Sequence, residues 1–566
     1  MTDVIKPSGD IGSASSVQQA IPDQVKDFIR TFYKHFLENN VYELHGCYEN
    51  TFNKLTDKYY TKSAWPDPLT EVAPLVDNDQ IFLVLYSEVY YRHIYAKLGP
   101  TLEHRTNSYN NYCNLFNLIL NHEGGPVTFE LPAKWLWDIV DEFIYQFNQF
   151  SVFRSKLINK KNLSEQDSAE LSFLQQHVEI WSSYSVLNAL YSLIGRSKIY
   201  EQLTAQRNNL PPSKISEIAG PYGSLTLYKN LGYFSIIGLL RIHTLLGDFT
   251  LALKTMEEIE LSKKSNFLTR VPGAHFTTYY YAGFCYLMMH RYADAIKTFS
   301  HILLYITRIK NISKSGQYDA ITKKSEQMYA LLTILIGLCP TRIDDVLHNN
   351  LKEKFSEQLS KIVKGGEASL KTIEELFAFG SPKFISISLP SFDSPELNID
   401  AIHLHSSVFM VTVKNTVYNN LLKTYLNLYS SMELQKLLNF LESDDTKINN
   451  LDELKEVLLA FKLTNTQIKW TETAAVKTAT NGEDEEQLPG ATSGLLNGES
   501  SNVYDFDITI NDNLIQIIEM KVARKFSDWF IRNTSKNYFV QDAIRNDRIE
   551  ETGKEKKDKK TKKSKK

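Results

Sequence analysis

The stretch Thr277–Ile306, TTYYYAGFCYLMMHRYADAIKTFSHILLYI, limits this chain more than any other. It carries two successive apolar stripes at helical spacing and has a fainter twin upstream. Tyr279, Ala282, Gly283 and Tyr286 fall at i, i+3, i+4 and i+7, one face of a helix whose small residues admit a neighbouring backbone. Tyr292, Ala295, Ile296, Phe299 and Ile302 repeat the pattern in the second half. Upstream, Phe249, Ala252, Leu253, Met256 and Ile259 take the same places after Gly247-Asp248, a pair suited to a helix–helix turn. One such hairpin cannot bury its apolar face alone, so stacked copies predict a helical solenoid, an architecture that holds partners rather than substrates. Stripes of this kind are core packing, and no cofactor site is expected in them.

Both units resemble tetratricopeptide-type hairpins, spaced more widely than that repeat by the linker Glu260–Pro272. The rest of the chain supports the same architecture. Residues 1–21 are aperiodic and predict disorder. An N-terminal helical domain is expected over 22–207, opening at Pro22-Asp23 with Val25, Phe28, Ile29, Phe32 and Phe36. Its helices Ile81–Leu98, Tyr109–Leu120 and Trp135–Phe150 are too aromatic to stand alone. Breaks are expected at Trp65-Pro66-Asp67-Pro68, Gly99-Pro100 and Gly124-Gly125-Pro126. The hairpins occupy 222–314, and more helices fill 315–430, ending in a long one over Ser406–Tyr429.

At residue 431 the character changes. Helices over Glu433–Glu442 and Leu451–Leu463 precede a β-like segment, Gln467–Thr471. After a polar insertion over 472–502, expected to be disordered, come two alternating strands, Phe506–Ile510 and Leu514–Met520. Between them Asn511-Asp512-Asn513 tolerates the positive φ of a tight hairpin. Helix, helix, strand, hairpin is the order of a winged helix, here 431–520. A closing helix over 521–535 places Val522, Phe526, Trp529 and Phe530 on one side, which makes Phe526, Trp529 and Phe530 candidate partner-binding residues. Residues 545–566 are a lysine-rich tail expected to be disordered.

The chain has 566 residues, 43% of them apolar, ample for extended cores. Its four cysteines stand far apart without a CxxC pair, which argues against a zinc finger or a disulfide framework; Cys285 is expected as a packing residue. No apolar leader opens the sequence, and the best membrane candidate, Leu231–Leu246, is short and broken by Arg241 and His243, so a cytoplasmic location is expected. Lys554–Lys566 holds nine lysines against Glu555 and Asp558, a surplus of seven. With a formal total of −3, the remainder therefore stands near −10. An acidic body with a basic end does not resemble a dedicated nucleic-acid-binding domain. Lys554, Lys556, Lys557, Lys559, Lys560, Lys562, Lys563, Lys565 and Lys566 are candidate RNA contacts, with a plain solvated tail or a nuclear-import signal as the alternatives. The acidic run Glu483–Glu486 is expected to be solvated.

Helical hairpins ending in a winged helix and a closing helix resemble a PCI domain, here 315–531. Six blocks narrow the likeness: DNDQIFLVLYSEVYYRHIYAKL (77–98), YNNYCNLFNLIL (109–120), LPAKWLWDIVDEFIYQFNQF (131–150), LYKNLGYFSIIGLLRIHTLLGDF (227–249), TTYYYAGFCYLMM (277–289) and KVARKFSDWFIR (521–532). They resemble the subunit L family of eukaryotic translation initiation factor 3. That resemblance implies a non-catalytic scaffold bound to the small ribosomal subunit, supporting 43S preinitiation complex formation, mRNA recruitment and initiator tRNA delivery, with subunits such as K and E as neighbours. The segment 472–502 and the lysine-rich end depart from it. A proteasome-lid or signalosome subunit is the alternative within the scaffold class.

No nucleotide, zinc-protease or hydrolase motif is present. His403-Leu404-His405 looks like the start of a deubiquitinase zinc motif, but Val413 stands at its serine position and no acid follows to complete a metal shell. His93, in an apolar helix beside Arg92, is expected to be structural. No catalytic residue, cofactor or metal is proposed. DNA reading by the winged helix would depend on Leu451–Leu463, where Asp452, Glu453 and Glu456 oppose Lys455 and Lys462. Such a helix is repelled by phosphates, so protein contact is favoured.

Overall fold

The computed structural model describes residues 21–122, 124–160, 162, 164–208, 210–259, 270–310, 318–386, 400–443, 448, 450–470, 495–519, 526–527 and 529–545. Helices dominate. Among the described residues, strands occur only at Ser431–Glu433 (β1), Thr466–Lys469 (β2), Glu499–Asn502 (β3), Phe506–Asn511 (β4) and Leu514–Glu519 (β5). This is the expected all-α repeat chain with a small β region. Two compact units divide it, Met1–Tyr281 with Lys383–Ala401, and Ala282–Pro382 with Ile402–Lys566. The boundary falls inside the helix Pro272–Met288.

In the first unit the predicted breaks have local causes. Asp67 accepts hydrogen bonds from the amides of Leu69 and Thr70 and so starts a new turn, while Gly99 ends the preceding run at φ 81°. The helix Ala133–Ile158 packs its aromatic face into rings from elsewhere in the unit: Phe32 and Tyr48 stack on Trp135 with centroids 5.4 and 5.1 Å away, and Tyr112 and Trp181 close on Phe143 at 5.1 and 5.4 Å. Glu88 is buried in this core. Its carboxylate accepts from Trp135 Nε1 at 3.1 Å and Tyr112 Oη at 3.3 Å, and it pairs with Arg92. Such partners are what a buried carboxylate requires.

The helix Thr226–Leu246 is buried on nearly all its circumference, which explains why it contains the most membrane-like stretch of the sequence. Two of its polar residues have protein partners: Arg241 pairs with Asp141, and Tyr191 Oη meets His243 Nε2 at 2.9 Å. Among the described residues no helix is long and apolar enough to cross a membrane. Gly247, at φ 87°, ends this helix, and Asp248 caps the next, Phe249–Thr255, by accepting from the Leu251 amide at 3.0 Å; the Gly-Asp pair is the turn expected of it.

In the second unit Gly283 lies against Phe299. A Cβ there would stand 2.7 to 3.0 Å from three ring carbons, so the hairpin's close packing depends on a missing side chain. Helices Tyr292–Lys310, Tyr318–Leu338, Asp345–Lys364 and Glu367–Gly380 continue the stack, and Phe377 stacks on Phe409 at 4.6 Å.

Two expectations need correction here. The long helix over Ser406–Tyr429 is two helices, Ala401–Thr416 and Asn419–Leu426. Asn419 and Asn420 turn their amides to Thr464 Oγ1 and the Gly337 carbonyl, at 3.0 and 2.7 Å, and these long-range bonds favour a break over continuation. The insertion 472–502 is not loose to its end. Residues 471–494 lie outside the described residues, but 495–502 are ordered, and β3 pairs antiparallel with β2 from Thr466↔Asn502 to Lys469↔Glu499. The sequence there lacks alternation because strand pairing and a buried arginine hold it, rather than an apolar face. The disorder expected for 1–21 concerns residues of which only residue 21 is described.

Candidate interaction surface

The winged helix is built on one small core. Helices Leu434–Ser443 and Leu451–Asn465 pack Leu434, Leu437, Leu441, Leu454, Leu458 and Phe461 against Phe506, Ile508 and Ile515 of the sheet. The sheet order is β1-β5-β4, all antiparallel. Asn511 pairs with Leu514 across a two-residue turn in which Asp512 has φ 54°, as its sequence predicts. Phe461 stacks nearly parallel on Tyr504 at 5.2 Å. Buried Asn465 ends the second helix by donating to the Phe506 carbonyl at 2.9 Å and accepting from the Tyr504 amide at 2.8 Å.

The outer face of Leu451–Asn465 decides what this module can hold. Asp452, Glu453 and Glu456 are exposed, Lys455 pairs with Asp452 at 3.5 Å, and Lys462 Nζ donates to the Ile508 carbonyl at 2.9 Å. Its cations are thus engaged by the protein itself. Between them stand Leu459 and Leu463, exposed at i and i+4. Sequence reading missed this pair, although Leu454, Leu458 and Phe461 already fill the core and leave two leucines surplus.

Beyond β5, residues 526–527 and 529–545 are helical, so the closing helix runs past its expected end at 535. Phe526, Trp529 and Phe530, at i, i+3 and i+4, are 67%, 64% and 65% exposed. Ile531, Tyr538, Phe539, Val540 and Ile544 are exposed as well, an extension the sequence reading left out because Asn533–Asn537 interrupts the stripe. Val522 and the tail lysines Lys554–Lys566 lie outside the described residues.

The remaining candidates are accounted for locally. His93 Nε2 meets the Tyr60 carbonyl at 2.8 Å, and burial pushes its pKa down despite that bond. His403 and His405 sit on the helix Ala401–Thr416, and no group of three or more His, Cys, Asp or Glu side chains that could hold a metal stands among the described residues. Cys285 is fully buried, as a packing residue should be.

Residues 104–537 match the family described as RNA polymerase I-associated factor PAF67. The protein named eukaryotic translation initiation factor 3 subunit L from Yarrowia lipolytica is 49% identical over 527 residues, covering 93% of this chain and 90% of that one. Its namesake from Nematostella vectensis is 44% identical over 520 residues, covering 91% of each. This chain belongs to the initiation factor 3 subunit L family. A third member, from Mycosarcoma maydis, is 42% identical over 93% of this chain and 75% of its own. The PAF67 match takes in the winged helix and Phe526, Trp529 and Phe530, and it ends within the exposed helix, short of the lysine-rich tail.

Proposed function

We propose that this chain is a non-catalytic structural subunit of the eukaryotic translation initiation factor 3 complex, with residues 315–531 as its PCI domain. In that complex it supports 43S preinitiation complex formation, binding to the small ribosomal subunit and mRNA recruitment, with subunits such as K and E as neighbours. The exposed aromatic helix supports this reading: Phe526, Trp529 and Phe530 expose more apolar ring surface than a finished surface needs, and buried aromatic anchors dominate interfaces. Membership of the subunit L family supports an initiation factor 3 complex as the source of that cover. The acidic outer face of Leu451–Asn465 favours a protein partner over DNA, whereas the lysines of 554–566 suit weak, salt-sensitive RNA attraction.

The test is purification through another subunit. Trp529→Ala with Phe530→Ala should lower the amount of this chain recovered in the complex, whereas deletion of Gly553–Lys566 should leave recovery intact and weaken RNA retention only at low salt. Loss of assembly on tail deletion, with a neutral aromatic pair, would reverse the assignment. Ubiquitin-processing partners in place of initiation factor subunits and ribosomal proteins would move the chain to the proteasome-lid or signalosome class.

A further inference from the structure

The sharpest polar site in the second unit lies at the turn between the helices Pro272–Met288 and Tyr292–Lys310. Arg291 and Asp294 have side chains only 5% and 4% exposed and are joined twice, Nε to Oδ2 at 2.8 Å and a terminal nitrogen to the same oxygen at 2.6 Å. A buried pair costs desolvation unless its remaining hydrogen-bonding capacity is filled. Here the chain itself fills it. Arg291 also donates to the carbonyls of Leu495, Leu496 and Asn497, at 3.2, 2.7 and 3.1 Å, so each of its three guanidinium nitrogens has an acceptor. Tyr286 Oη donates to the Leu495 carbonyl at 2.9 Å, and its ring lies 5.1 Å from the guanidinium carbon. Asp294 accepts from the backbone amide of Trp470, at 3.0 Å to Oδ1 and 3.2 Å to Oδ2.

Among the described residues, the side-chain hydrogen bonds the pair makes outside itself therefore go to main chain on the two sides of 471–494. Between those sites and the winged helix, β2 and β3 form a two-stranded ribbon. Gly498 lets its strands close: a Cβ there would stand 2.8 Å from both the Ile468 side chain and the Lys469 carbonyl. An isolated two-stranded ribbon is marginal in water, and Gln467–Lys469 offers it little apolar cover, with Ile468 exposed.

We propose that Tyr286, Arg291 and Asp294 form a peptide-backbone receptor built into the helical hairpin, occupied in cis by Leu495–Asn497 and Trp470, and that this capture holds the ribbon in place. The receptor reads main chain: it offers donors to three successive carbonyls and an acceptor to one amide, while Leu495 is itself buried and the Trp470 ring lies 4.7 Å from Lys297 Nζ. The ribbon is then a detachable unit. Its order depends on one ion pair on the hairpin, whereas the winged-helix core depends on its own apolar cluster.

Hydrogen exchange on the full-length chain tests this. Arg291→Met and Asp294→Asn should each speed exchange of the paired amides in 466–469 and 499–502 by about tenfold or more, because opening the ribbon no longer breaks the capture. The helix Leu434–Ser443 should exchange at the unaltered rate. Gly498→Ala, which forces the strands apart without touching the pair, should give the same local pattern. Unchanged ribbon exchange in the Arg291 and Asp294 variants would overturn the proposal. So would equal acceleration in the ribbon and in Leu434–Ser443, since the pair would then be a general support of the unit.

Discussion

Two aromatic helices of this chain meet opposite fates. Ala133–Ile158 and the helix described over 526–527 and 529–545 both carry tryptophan and phenylalanine at helical spacing, yet Trp135 is 1% exposed and Trp529 64%. The first finds Phe32, Tyr48, Tyr112, Trp181 and Phe234 brought to it by other segments of its unit. The second keeps its rings in solvent. Apolar spacing states a demand for neighbours, and only the fold shows whether the same chain meets it. An aromatic helix with its rings exposed marks a surface to be covered from outside.

The largest effect should follow from removing the ring that is covered. Trp135→Ala empties a stacked site and takes one donor from buried Glu88, so unfolding free energy should fall by about 3–5 kcal/mol. Trp529→Ala should change it by no more than about 0.5 kcal/mol in the free chain. Denaturant melts of the two variants would break the comparison if their losses were similar.

Enlargement separates buried from exposed helices in the same way. Gly283→Leu drives a side chain into the Phe299 ring and should cost about 1–3 kcal/mol, read as a clear drop in thermal midpoint. Ala543→Leu, on the exposed helix, should leave the midpoint nearly unchanged.

A third contrast is electrostatic. Burial pushes the Glu142 carboxyl up to about 7, with Arg92 opposing the shift and Gln146 Nε2 donating to it at 3.1 Å. Its folded pKa exceeds its unfolded value of about 4.5, so the folded state binds the proton more tightly. The stability it contributes is present in acid and is lost as pH rises from about 4.5 to 7. Glu142→Gln should abolish that slope and leave the variant about 1–3 kcal/mol more stable than the natural chain above pH 7. Paired melts at pH 5 and pH 8 check the sign; a gain confined to pH 5 would refute it.

Much of this was legible in advance where local chemistry decides. The Gly247-Asp248 turn, the Asp512 hairpin and the burial of Tyr292, Ala295, Phe299 and Ile302 all follow from spacing and backbone preference. The break after Thr416 and the order of 495–502 depend on partners distant in sequence, Thr464 and Gly337 in one case and Arg291 in the other. No window of sequence contains both ends of such a bond. The candidate surface was half legible for the same reason. Phe526, Trp529 and Phe530 announce themselves by spacing, whereas Leu459 and Leu463 become a surface only once the core is seen to be complete without them.

The smallest expected effect concerns the segment between the two captured ends. Trp470 and Leu495 both bond to the Arg291–Asp294 pair, so residues 471–494 leave and return at one place. Joining those ends by a connection about four times shorter reduces loop-closure entropy by only about 1 kcal/mol and removes no contact described above. Replacing 472–494 with a short Gly/Ser linker should therefore leave the thermal midpoint unchanged or slightly raised. Extending the same replacement to residue 502 removes β3 and the three carbonyls that Arg291 needs. The buried guanidinium is then left with unfilled donors, and the midpoint should fall. If both replacements behaved alike, the ordered end of the insertion would contribute nothing to the fold. A difference between them measures what its captured backbone adds.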